Sequence, residues 1–83
     1  MADWRPLLVV VGRMVKYARE AQGLSQTALA ARAGVHVKGV REIEHGRGNP
    51  AFPTLARLVR DGLRISPTDL IVAAEREVSE PAP

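Results

Sequence analysis

Apolar positions recur at three- and four-residue intervals along nearly the whole chain, and no stretch alternates with a period of two. That pattern predicts an all-α protein of five helices. Val11, Val15 and Ala18 share one face of a first helix predicted from about Leu7 to Gln22, with Gly23 as its left-handed cap. Residues 1–6 ahead of it read as an irregular arm ending at Pro6. The run Leu7-Leu8-Val9-Val10-Val11 also has strand character, so a short exposed segment meeting a partner is the alternative to a helix entry. Ser25 is placed to cap a second helix, with Leu24 and Leu29 at staple spacing, Ala28, Leu29 and Ala33 facing inward, and Gly34 at its end. A third helix is predicted over about Val37 to Glu44. Val35 and Val40 form its staple, Val40 and Ile43 point inward, and Gly46 closes it.

The turn residues of Gly48-Asn49-Pro50-Ala51-Phe52-Pro53 predict a loop. A fourth helix follows over about Thr54 to Gly62, burying Leu55, Leu58 and Val59. Ser66-Pro67-Thr68-Asp69 supplies a cap, a proline at the first helical position and an acid at the third, opening a fifth helix. Leu70, Ile71, Ala74 and Val78 lie on one side of it. Residues 79–83 form a polar, proline-bearing tail expected to fray, which leaves residues 7–78 as the folded domain.

Length and composition narrow the function. Eighty-three residues make one domain and leave no room for a deep catalytic pocket beside a binding surface. The absence of cysteine excludes disulfides and thiolate zinc sites. The five-residue run Leu7–Val11 is the longest apolar stretch, far short of the roughly 20 residues that span a bilayer. No membrane association is expected, and without the features of a signal peptide the expected location is cytoplasmic. Charge is divided unevenly. Residues 1–64 hold eleven of the twelve basic side chains and five acidic ones, while residues 65–83 hold one basic and four acidic. A basic body with an acidic end suits a polyanion bound through the body, although the same imbalance also describes an ordinary solvated surface.

The informative stretch is Gly23-Leu24-Ser25-Gln26-Thr27-Ala28-Leu29-Ala30-Ala31-Arg32-Ala33-Gly34-Val35, followed by the short third helix. Two short helices meeting at a tight turn can each bury only one narrow face. Packed at a steep angle, the second protrudes and can enter a major groove about 12 Å wide. A bundle hairpin would need longer matched apolar faces. The third helix instead has an outer face of Lys38, Arg41 and His45.

Val11-Gly12, Arg19-Glu20, Gly23-Leu24-Ser25-Gln26, Leu29-Ala30, Ala33-Gly34-Val35, Ile43-Glu44 and Gly46 with Asn49-Pro50 occur in order. In these elements the chain resembles the Cro/lambda-repressor type of helix-turn-helix, the XRE family, with the helix-turn-helix at about 24–46. The resemblance implies a compact lambda-repressor-like domain that binds double-stranded DNA. It places Val37, Lys38 and Glu42 at base edges, with His36 and Arg41 beside them. Lys38 would donate to guanine, Glu42 accept from cytosine N4, and Val37 touch a thymine methyl. Ser25 and Gln26 at the start of the second helix, and Arg47 after the third, correspond to phosphate-contacting positions, with His45 nearby. Arg19 and Glu44 correspond to a positional ion pair between the first and third helices.

Several features depart from the family pattern: Met14 stands where a basic residue is common and Ala18 where a leucine is common, so the first helix is expected to pack less tightly. His36 stands where Ser or Thr usually caps the third helix. Gly39 lies inside that helix, either to let the backbone approach DNA or because the helix orders only on binding. Gly62-Leu63-Arg64 does not match the usual end of helix four. Glu42 has two open roles, a base contact or an i, i+4 pairing with Lys38.

The function implied is a sequence-specific transcriptional regulator, a repressor or autoregulator, acting as a homodimer on a near-palindromic site. Leu70, Ile71, Ala74, Val78 and Trp4 are the candidate dimer surface. A restriction-modification control protein, or an antitoxin with a toxin partner, would use the same fold. A protein-interaction module is the alternative outside DNA binding. No cofactor or metal is expected, since His36 and His45 lie at opposite ends of one helix. No nucleophile–base set suggests an enzyme.

Overall fold

A computed structural model describes residues 3–79. Its helices are α1 (Arg5–Ala21), α2 (Gln26–Ala33), α3 (Val37–Glu44), α4 (Phe52–Ala56) and α5 (Pro67–Ser79). A π-helical segment, Arg57–Gly62, continues α4 without a break. No strand occurs among the described residues. The helix starts and stops follow local chemistry. Ser25 Oγ accepts a hydrogen bond from the Ala28 N–H at 3.0 Å, capping α2. Gly23 and Gly34 take positive φ values of 69° and 70° after α1 and α2. There they let the Leu24 and Val35 N–H groups return to the Arg19 and Ala30 carbonyls. Ser25→Ala should therefore cost about 1 kcal/mol, read as a lower thermal midpoint with unchanged helix content in the folded state.

The amino-terminal boundary differs from the sequence expectation. α1 begins at Arg5, so Pro6 sits in its first turn, where a missing N–H costs nothing, and does not end an arm. The valine run is helical, with Val10, Val11 and Val15 in the core and Val9 outside. α5 extends to Ser79; the rest of the expected tail lies outside the described residues.

One core serves every element. Val15, Leu29, Val40, Leu58, Val59 and Leu63 are its largest fully buried side chains. α1 packs against α3 on one side and α5 on the other, while α2 packs against α3 and the π segment. Ala28, expected inside, is exposed, and Ala30 takes the buried position. The π segment accounts for the irregular Gly62-Leu63-Arg64. Leu63 N–H reaches the Leu58 carbonyl at 3.0 Å and Ile65 N–H reaches Val59 at 3.0 Å. The wider turn brings Leu58, Val59 and Leu63 onto one inward arc. Gly62 faces α2 so closely that a Cβ there would stand 2.6 Å from Leu29 Cδ1.

Leu70 and Ala74 require a correction. They were expected at a dimer surface, but they are 6% and 0% exposed. α5 must cover α1, and these two residues form its inward face. Ile71, at the edge of that face, and Val78, in the last turn, remain accessible.

Candidate nucleic-acid interface

α3 is anchored from behind by charge as well as by apolar contact. Arg19 on α1 grips Glu44 at the last turn of α3 through two parallel bonds, Nε to Oε2 at 2.6 Å and Nη2 to Oε1 at 2.9 Å. Both side chains are almost wholly enclosed, at 11% and 2% exposure. The third guanidinium donor, Nη1, reaches the Leu24 carbonyl at 2.9 Å, just before α2. One side chain thus ties α1, the α2 entrance and α3 into a fixed angle. Its hydrogen bonds to the Glu44 carboxylate hold the Arg19 pKa above its ordinary value, outweighing the opposing effect of burial.

Gln26 completes this clasp. Its Nε2 donates to Glu44 Oε1 at 3.1 Å, and its Oε1 accepts from Arg41 Nε at 3.4 Å. The sequence marked Gln26 as a phosphate grip. In the fold its amide is engaged with α3, leaving one N–H free. The Arg41–Gln26 contact joins residues fifteen apart, and no local spacing could have revealed it. What positions 19, 26 and 44 do have in common is polarity at inward-leaning sites of three amphipathic helices, a signal for a buried polar network.

The outer face of α3 is open. His36, Lys38, Arg41, Glu42 and His45 are exposed, as is Arg47 in the following turn. These residues therefore lie together on and beside one protruding helix. Val37 is different: it is half-buried and packs against the core, with only part of its surface available to a thymine methyl. His36 makes no side-chain cap, so the Val37 and Lys38 N–H groups at the start of α3 are left for solvent or a ligand, while the Gly39 N–H bonds the His36 carbonyl at 3.0 Å. His45 caps the other end, its Nδ1 standing 2.7 Å from the Arg41 carbonyl. Ser25 Oγ accepts from Ala28 and retains its own O–H as a donor. The Lys38–Glu42 pair is loose, with Nζ and Oε1 4.0 Å apart and both side chains well exposed. Such a pair contributes only a few tenths of a kcal/mol, about 0.3–0.5.

A helix with a buried charged anchor and a solvent-facing basic surface is the geometry of a major-groove reader. A family model described as Helix-turn-helix matches residues 15–70. The chain belongs to this helix-turn-helix family. It is a DNA-binding transcriptional regulator of the XRE type. Among solved structures it is similar to the restriction-modification controller protein C.AhdI from Aeromonas hydrophila. The two are 33% identical with a TM-score of 0.70, over 76% of this chain and 94% of that one. The wild-type controller protein C.Esp1396I is 23% identical, with a TM-score of 0.75 over 89% of this chain and 96% of that one. A single-substitution variant of C.Esp1396I aligns over 99% of this chain and 100% of that one, at 22% identity and a TM-score of 0.77. At that identity the C.Esp1396I structures show a common fold. No curated protein sequence matches the chain.

Among the described residues no helix is long and apolar enough to cross a membrane. Within the same residues no group of His, Asp and Glu is arranged to hold a metal ion.

Proposed function

We propose that the chain acts as a homodimer that reads a near-palindromic operator and regulates the genes beside it, as a restriction-modification controller. The observation that carries this reading is the exposed basic face of α3, held at a fixed angle by the Arg19–Glu44–Gln26 clasp. The 33% identity to C.AhdI across 94% of that chain favours the controller role. Autoregulation suits it, because abundance is then the controlled variable.

Dimerisation is supported by apolar surface that one protomer leaves uncovered. Trp4 is 63% and Phe52 66% exposed, and Val72 and Val78 are also open. Trp4, Leu7 and Val78 border one depression, Phe52, Ile71 and Val72 another, and Leu7 and Ile71 both border a third between them. These depressions form one continuous apolar face from the start of α1, the start of α4 and the outer side of α5, and exposed apolar faces rimmed by polar residues mark association sites. Trp4, Ile71 and Val78 lie on this face together with Phe52 and Val72. A dimer through this face would present two α3 helices to successive major grooves, about 34–36 Å apart.

Selection from random duplexes at two salt concentrations tests the reading. A two-fold symmetric motif should be enriched, with affinity falling as salt rises. Salt-sensitive binding without an enriched motif would leave a nonspecific basic protein. Ile71→Asp should sediment as a monomer at concentrations where the parent is dimeric, and should lose the full-length motif. A parent that is monomeric both free and on DNA would remove the dimer from the proposal.

A further inference from the structure

Of the seven glycines, six have a reason within the chain itself. Gly23, Gly34, Gly46 and Gly48 have positive φ, and a Cβ at Gly12 or Gly62 would collide with a neighbouring helix. Gly39 has none. It lies inside α3 without a positive φ, and a Cβ built there meets nothing within 4 Å. Alanine would fit the protein and strengthen the helix, so the missing methyl serves neither packing nor backbone.

Gly39 opens a slot of about 110 Å³ between α3 and the segment that leads into α4. Glu42, Arg47, Asn49 and Thr54 border it. The Glu42 side chain leans toward Gly48, where its Oε2 would be 3.0 Å from a Cβ. Its carboxylate accepts no hydrogen bond among the described residues, and its nearest cation is Lys38 at 4.0 Å. The slot therefore joins free volume on the flank of a reading helix to an acceptor at its rim. A carboxylate at the rim repels a phosphate. It favours a neutral group that donates, which in the major groove is an exocyclic amino group.

We propose that Gly39 and Glu42 form one base-reading slot, in which Gly39 provides room and Glu42 accepts a hydrogen bond from cytosine N4 or adenine N6. The slot deepens the DNA-reading role proposed above and depends on it. Glu42 then discriminates bases through an acceptor, beside the donors Lys38 and Arg41.

Gly39→Ala separates this role from a structural one, because stability and affinity should move in opposite directions. The variant should melt about 4–8 °C higher yet bind the duplex selected by the parent about tenfold more weakly. Its selected motif should lose preference at one base pair in each half-site and keep the others. At that position, 2-pyrimidinone in place of cytosine, or purine in place of adenine, removes only the amino group. Whichever replacement weakens the parent identifies the base, and the same replacement should leave Gly39→Ala and Glu42→Ala, which has no side-chain acceptor, unaffected. Binding by Gly39→Ala as tight as the parent's, or tighter, would overturn the slot while leaving DNA reading intact. A lower melting point together with weaker binding would also overturn it, since the alanine would then be disturbing the helix. A parent that selects no duplex would remove both the slot and the reading role.

Discussion

Glu44→Ala is expected to be the most damaging single substitution in the protein. It would leave the Arg19 guanidinium enclosed with its carboxylate partner gone, and would remove the Gln26 Nε2 contact to α3, leaving only the long bond from Arg41 among the described residues. Breaking a buried pair by deleting one partner costs about 3–5 kcal/mol. Domains of this length are stable by only about 4–12 kcal/mol in total, so the variant should lose a large share of its stability and melt well below the parent. Urea denaturation checks the magnitude. The paired replacement Arg19→Met with Glu44→Leu separates two origins for the loss. It removes both charges while keeping apolar volume, and should recover most of the stability. It should not recover DNA affinity, because the Leu24 carbonyl and Gln26 lose their partners and the angle of α3 is no longer set. Equal stability of the parent and Glu44→Ala would show that the clasp is not what holds α3.

The Arg19 pKa bears on pH dependence in one direction. It is raised in the folded state, chiefly by the hydrogen bonds to Glu44. Its stabilising contribution is therefore complete below the unfolded arginine value and is lost only as pH rises beyond it. No loss from this group is expected in the ordinary working range.

Gly12→Ala is the second substitution with a large expected effect. Gly12 is buried where α1 crosses α3, and a Cβ there would collide with the Ile43 carbonyl oxygen. The atom in the way is backbone, so no rotamer change relieves the collision. Alanine favours an isolated helix over glycine by about 1 kcal/mol, but overpacking a core costs about 1–3 kcal/mol even when side chains can yield. Here α3 itself must move. A folded but less stable variant, with operator affinity reduced by more than the stability change explains, is the expected result. Thermal melting and a titration with the selected duplex read the two effects separately. Unchanged affinity would mean that the crossing tolerates displacement without loss of reading geometry.

These two substitutions mark different degrees of legibility. The ion pair was implied by the family resemblance of Arg19 and Glu44, and the structure supplies its geometry and its third member, Gln26. Gly12 stood in the sequence only as one element of the motif. Its physical reason, a backbone-to-backbone approach between α1 and α3, involves residues about thirty positions apart and leaves no trace in local pattern. The dimer candidates show the converse difficulty. Leu70, Ile71, Ala74 and Val78 share one apolar side of α5 in sequence, but that side is wider than the strip α1 covers. Leu70 and Ala74 are enclosed within the protomer, while Ile71 and Val78 stay accessible at its edge.

By itself, then, the sequence determined the five helices and several of their ends, though not the starts of α1 and α4: the Ser25 cap, the left-handed glycines at 23 and 34, and a third helix from Val37 to Glu44. Those features depend on hydrogen bonds and dihedral preferences within four or five residues, which neighbouring residue types express directly. The tertiary structure alone decided which apolar face covers which, how Gln26 joins the Arg19–Glu44 clasp, where the π turn bends the chain toward α5, and why Gly12 admits no side chain. Each of these is a meeting of surfaces distant in sequence. Helical periodicity says that a face is apolar, but only the packed fold says what lies against it.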